Sequence, residues 1–100
     1  MAKSSFKDLI NSDIPLLIDF YADWCGPCKQ FMPIVEQFKD EMGEKVRVIK
    51  INIDKNQALA QQLKVMSIPT VMIYHKGERT YEGKGLHSKE ELKKKVAALL

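Results

Sequence analysis

Cysteine is nearly absent from this sequence: Cys25 and Cys28 are the only two in 100 residues. A scaffold stapled by several disulfides is therefore excluded. Histidine is as scarce, and His75 and His87 lie far along the chain in segments that read as turns, so a four-ligand zinc site at the cysteines lacks two ligands. No apolar run approaches the roughly 18 residues needed to cross a bilayer. The start, Met1-Ala2-Lys3-Ser4-Ser5-Phe6-Lys7-Asp8, lacks the apolar core of a secretory signal. The expectation is a soluble, cytoplasmic chain without a membrane partner. Charge of one sign is short too: 16 Lys and Arg against 13 Asp and Glu leave a formal +3, too little to argue for nucleic acid. Lys93-Lys94-Lys95, the densest basic run, sits between Leu92 and Val96 and reads as the solvated face of a helix. What is present, 45% hydrophobic and 29% charged residues, describes an ordinary globule, and this length suits a single domain over 1–100 with one modest core.

The two cysteines are three positions apart in Trp24-Cys25-Gly26-Pro27-Cys28-Lys29. Upstream, Leu16-Leu17-Ile18-Asp19-Phe20-Tyr21 reads as a buried strand. Downstream, Phe31, Ile34, Val35, Phe38 and Met42 recur with helical spacing. The pair thus stands where a strand becomes a helix. Unpartnered N–H groups and the positive end of the helix dipole stabilise a thiolate there. Cys25, at the tip of the turn, is the candidate nucleophile and is expected to be the exposed, low-pKa thiol. Cys28, one turn on and shielded, is placed to resolve a mixed disulfide formed at Cys25. Gly26 is expected to relieve crowding beside the first sulfur, and Pro27 suits the first helical turn. A structural bridge is the weaker reading, because closing so short a loop removes only about 2 kcal/mol of unfolded-state entropy.

Along the rest of the chain, Ser5-x-x-Asp8 has the form of a capping box for a helix from about Phe6 to Ser12, which Pro15 ends. Asp19 is either a partly exposed strand-end residue or a buried acid with a raised pKa, able to exchange a proton with the dithiol. The helix from about Cys25 to Met42 should kink at Pro33 and stop at Gly43. Val46 to Ile53 is a second strand, parallel to the first through a right-handed crossover. In it Lys50 either faces solvent or lies beside Asp19. A helix from about Gln57 to Leu63 follows, then Met66-Ser67-Ile68-Pro69-Thr70 and a strand from Thr70 to Tyr74. His75-Lys76-Gly77-Glu78 turns the chain into an antiparallel strand from Arg79 to Glu82. Gly83-Lys84-Gly85-Leu86 is a flexible connection, and Ser88-x-x-Glu91 caps a last helix with Leu92, Val96, Leu99 and Leu100 on one face.

From about Phe6 to the C-terminus the chain resembles the thioredoxin family, through Ile18-Asp19-Phe20-Tyr21-Ala22-Asp23, the Cys25-Gly26-Pro27-Cys28 motif with Lys29, Lys50-Ile51-Asn52-Ile53-Asp54, Ile68-Pro69-Thr70 and Gly85. The resemblance implies an α/β thioredoxin-like fold, a four-stranded mixed sheet flanked by helices on both faces. It makes Asp19 the buried acid that deprotonates Cys28 and Lys50 the partner of Asp19. It makes Pro69 the cis-proline beside the dithiol, and it assigns Trp24, Gly26, Pro27, Ile68, Pro69 and Gly85 to the surface where an extended substrate docks. No metal and no bound cofactor are implied. The redox group is a reversible Cys25–Cys28 disulfide, and NADPH serves only through thioredoxin reductase. The activity implied is general protein-disulfide reduction. The alternatives are an oxidase or isomerase on the same fold, or a non-catalytic binding or chaperone subunit.

The sequence departs from the family in three places. The strand that usually precedes the first helix has no counterpart, which leaves Val46 to Ile53 as a sheet edge and implies a monomer with weak edge-strand dimerisation. Tyr21 replaces the usual tryptophan. Ser67 replaces a common glycine.

Overall fold

A computed structural model describes residues 3–100. Its elements are α1 (Lys3–Ile10), β1 (Leu16–Tyr21), α2 (Gly26–Met42), a 3-10 turn (Gly43–Lys45), β2 (Arg47–Asn52), α3 (Gln57–Gln62), β3 (Thr70–His75), β4 (Glu78–Lys84) and α4 (Lys89–Ala97). The four strands form one sheet in the order β2-β1-β3-β4, with β1 and β2 parallel and β3 antiparallel to both β1 and β4.

Strand periodicity divides the core. Leu16, Ile18 and Phe20 point to one face, with Ile51, Met72 and Tyr74, and are covered by Phe6, Leu9 and Ile10 of α1 and by Leu59 and Leu63. Leu17, Val71 and Ile73 point to the other, where Phe31, Val35 and Phe38 of α2 meet Leu92 and Val96 of α4. β1 is covered on both faces, which is why it reads as an apolar run. Asp19 shares the parity of Leu17 and so faces the α2 side.

Local signals set several boundaries. Ser88 and Glu91 form the reciprocal capping box of α4, with bonds of 3.1 and 3.0 Å. Lys76 and Gly77 both take positive φ, as a two-residue hairpin turn requires. The ends of α1 and the end of β4 differ from expectation. α1 is already helical at Lys3, with Met1 and Ala2 outside the described residues, so Ser5 stands within the helix and not at its expected start. It ends at Ile10 because the Ser12 hydroxyl instead accepts the Ile14 N–H at 3.1 Å in a local turn. α2 runs through Pro33 as one element, in line with the helix expected from about Cys25 to Met42. β4 extends to Lys84 because Gly83 and Lys84 pair with Val71 and Thr70, so this segment is not a flexible connection. Leu100, expected on the packed face of α4, is 60% exposed.

Candidate active site

Cys25 and Cys28 are joined as a disulfide at the entrance to α2. Cys25 is the N-cap: its backbone is extended and its Sγ accepts the Cys28 N–H at 3.2 Å. An otherwise orphaned helix donor thus points at the first sulfur, and the same donor favours a thiolate there after reduction. The expected contrast in exposure is absent in the disulfide form, where Cys25 is 4% and Cys28 2% exposed. In this form both cysteines cluster with Ala22, and Tyr21, Ile53 and Ile68 pack against them. Gly26 does not relieve crowding either, because a Cβ there would meet nothing within 4 Å. Pro27 occupies the first turn of α2.

Asp19 is 1% exposed, and neither carboxylate oxygen has a hydrogen-bond partner among the described residues. Its burial disposes of the strand-end reading and pushes its pKa up from 3.8 to about 6, with the positive charge of Lys50 pulling the other way. Lys50 is the Cα partner of Asp19 across β1 and β2. The expected direct pairing is nevertheless not made. The Lys50 ammonium bonds Glu36 of α2 at 2.9 Å, at the surface where an ion pair keeps its hydration. Lys50 thus acts on Asp19 only through its field.

Around the sulfurs, Trp24 is 69% exposed and its indole N–H donates to Asp54 at 2.8 Å. This bond orients an apolar ring that faces solvent. The Asn52 side chain accepts from the Asp54 and Lys55 N–H groups at 2.9 and 3.3 Å, shaping the turn that carries Asp54. The Ile68–Pro69 peptide is cis, and Ile68 packs beside the disulfide. Gly85, at φ +85, donates its N–H to the Pro69 carbonyl at 2.8 Å. The strand end, the helix start, the Ile68–Pro69 segment and the Gly85 loop therefore meet at one end of the sheet. Among the described residues, no three His, Cys, Asp or Glu side chains are grouped as a metal site requires.

One cluster escaped the sequence reading. His87, expected in a turn, is 5% exposed, with Nε2 on the Tyr81 hydroxyl at 2.7 Å and Nδ1 on the Gly85 carbonyl at 3.0 Å. A Cβ at Gly83 would fall on the Tyr81 hydroxyl and the imidazole, so this glycine is required by close approach. The signal was a large Tyr two positions before a Gly on one strand face. His75 binds the Asp13 carbonyl at 2.9 Å, remote from the sulfurs.

The thioredoxin family model matches residues 1–98. The chain is 42% identical over 90 residues to thioredoxin of Rickettsia prowazekii, covering 89% of this chain and 86% of that protein. It is 36% identical over 100 residues to thioredoxin of Alicyclobacillus acidocaldarius, covering 100% and 95%. The crystal structure of Malassezia sympodialis thioredoxin superposes with a TM-score of 0.87 at 27% identity, over 99% of this chain and 89% of that one. The chain therefore belongs to the thioredoxin family, and its Cys25–Cys28 pair is the redox-active disulfide of a thiol–disulfide oxidoreductase.

Proposed function

We propose that the reduced protein passes two electrons to a substrate disulfide by a defined division of labour. The Cys25 thiolate attacks one substrate sulfur, forming a Cys25–substrate disulfide and expelling a substrate thiolate, which takes up a proton. Cys28 then gives its proton to Asp19, and the resulting thiolate attacks Cys25 Sγ. The bond to substrate breaks, the second substrate thiolate leaves, and the Cys25–Cys28 disulfide remains. The observation that carries this order is the Cys28 N–H aimed at Cys25 Sγ, which favours negative charge on the first sulfur. Asp19, with a pKa of about 6, is suited to accept a proton near neutrality and return it.

Trp24, Gly26, Pro27, Ile68, Pro69 and Gly85 form the docking rim, with the Ile68 backbone pairing with an extended substrate segment. Thioredoxin reductase, using NADPH, restores the dithiol in the cytoplasm. The working form is a monomer, with weak pairing between β2 edges at high concentration.

The test is turnover of insulin disulfides with NADPH and a thioredoxin reductase, alongside the Cys25/Cys28 potential measured against glutathione. Reduction with a potential well below that of glutathione supports the reading. A potential near those of disulfide oxidases would replace it with the oxidase reading.

A further inference from the structure

The buried His87 and the half-buried Tyr81 lie outside the sulfur chemistry but inside the frame that holds the docking rim. The chain of contacts runs from the Tyr81 hydroxyl to His87 Nε2, from His87 Nδ1 to the Gly85 carbonyl, and from the Gly85 N–H to the Pro69 carbonyl. Because a carbonyl can only accept, Nδ1 must carry the proton, and in the neutral ring Nε2 then accepts from the phenol. Burial holds the Tyr81 pKa above its ordinary value, so the phenol keeps its proton. The ring is set edge-on to Tyr81 at 5.8 Å and lies 6.1 Å from Phe31 of α2. Gly83 leaves it room. Its neighbour Leu86 is 49% exposed, so the loop turns the imidazole inward and the apolar side chain out. A leucine at position 87 would leave the Gly85 carbonyl without this donor.

We propose that His87 is a positioning residue for protein substrates. Its Nδ1–H holds the Gly85 carbonyl, which keeps the Gly85 N–H on Pro69 and so fixes the spacing of the two backbone segments between which a substrate chain lies. The inference rests on the docking role given above to Ile68, Pro69 and Gly85. Substrates that lie across both segments feel the loss of this bond, whereas a small disulfide that meets only the sulfurs feels it less.

Two measurements decide it. In the wild-type protein, two-bond proton–nitrogen NMR of His87 should report the Nδ1–H tautomer, and the Gly85 amide should be protected from hydrogen exchange. An Nε2–H tautomer overturns the proposal without any variant. In the second, His87→Leu and His87→Asn are compared with wild type on insulin and on dithiobis(nitrobenzoate). Folding of each variant is checked by circular dichroism. Loss of one net hydrogen bond predicts a KM for insulin raised about five-fold in His87→Leu. The effect on the small disulfide should be smaller, and His87→Asn, whose amide can place a donor near the Nδ1 position, should recover most of it. Equal losses on both substrates, or no rescue by a folded His87→Asn, overturn the proposal. Should His87→Leu fail to fold, the tautomer and the Gly85 exchange rate decide alone. A wild-type protein that does not reduce insulin at all would instead refute the functional reading and leave the tautomer result intact.

Discussion

Asp19 and Lys50 face each other in register on neighbouring parallel strands, yet the ammonium turns away to Glu36 and leaves both carboxylate oxygens of Asp19 without a hydrogen bond. The acid is thus held in an apolar setting with a cation near but not bound, an arrangement that leaves a carboxyl able to change protonation near neutral pH.

Stability should carry the signature of this carboxyl. The folded-state pKa is about 6 against an ordinary 3.8, so between these values the native state holds the proton that the unfolded state has released. Stability therefore falls as pH rises through this window, by up to roughly 3 kcal/mol once the group is ionised in both states. Denaturant unfolding of wild type and Asp19→Asn from pH 4 to 8 should show a difference that grows in favour of the variant with pH. Parallel curves would mean that the pKa is not raised. In catalysis the same variant should slow release of the mixed disulfide, with little effect on the first attack.

Moving the cation tests the arrangement from the other side. Lys50→Met removes the charge that lowers the Asp19 pKa, so the carboxyl should titrate above about 6. Glu36→Gln frees the ammonium and removes a nearby anion, and both changes should move the titration down. Carbon NMR of the Asp19 carboxyl gives both shifts, and a Glu36→Gln shift upward would contradict the geometry.

The roles of the two sulfurs are separable after reduction. Iodoacetamide at neutral pH should label Cys25 first, because the Cys28 N–H stabilises its thiolate. Cys28→Ser should accumulate a Cys25–substrate disulfide. Mass spectrometry finding alkylation first at Cys28 would reverse the assignment.

Gly83→Ala should destabilise the protein by about 1–3 kcal/mol, because the added methyl has no space beneath Tyr81 and His87 and must displace one of them. Thermal unfolding measures it. A variant as stable as wild type would show that the pair shifts freely.

β2 lies at the sheet edge, with Arg47 and Lys50 exposed along it. Light scattering over a concentration series should detect dimers only at high concentration, and Val48→Lys should remove them. Dimers that survive the substitution would exclude edge pairing.

Local chemistry determined much of this protein from its sequence. The apolar run Leu16–Tyr21, the helical spacing of Phe31, Val35 and Phe38, the Ser88 cap and the Lys76-Gly77 turn each act over a few residues, so elements and their order could be read directly. The cysteine spacing marked the redox site for the same reason. Where two partners come from distant segments, only the tertiary structure decided. The Lys50 ammonium had Asp19 and Glu36 within its reach, and the choice depended on which site kept it hydrated. Gly83 reads as a loop residue in the sequence, but Val71 pairs with it and His87 folds over it. Cys25, bridged to Cys28, is buried against Tyr21, Ile53 and Ile68, which come from other segments of the chain. Burial, desolvation and close contact are properties of the assembled sheet and helices, and a one-dimensional pattern carries them only where neighbours in sequence are also neighbours in space.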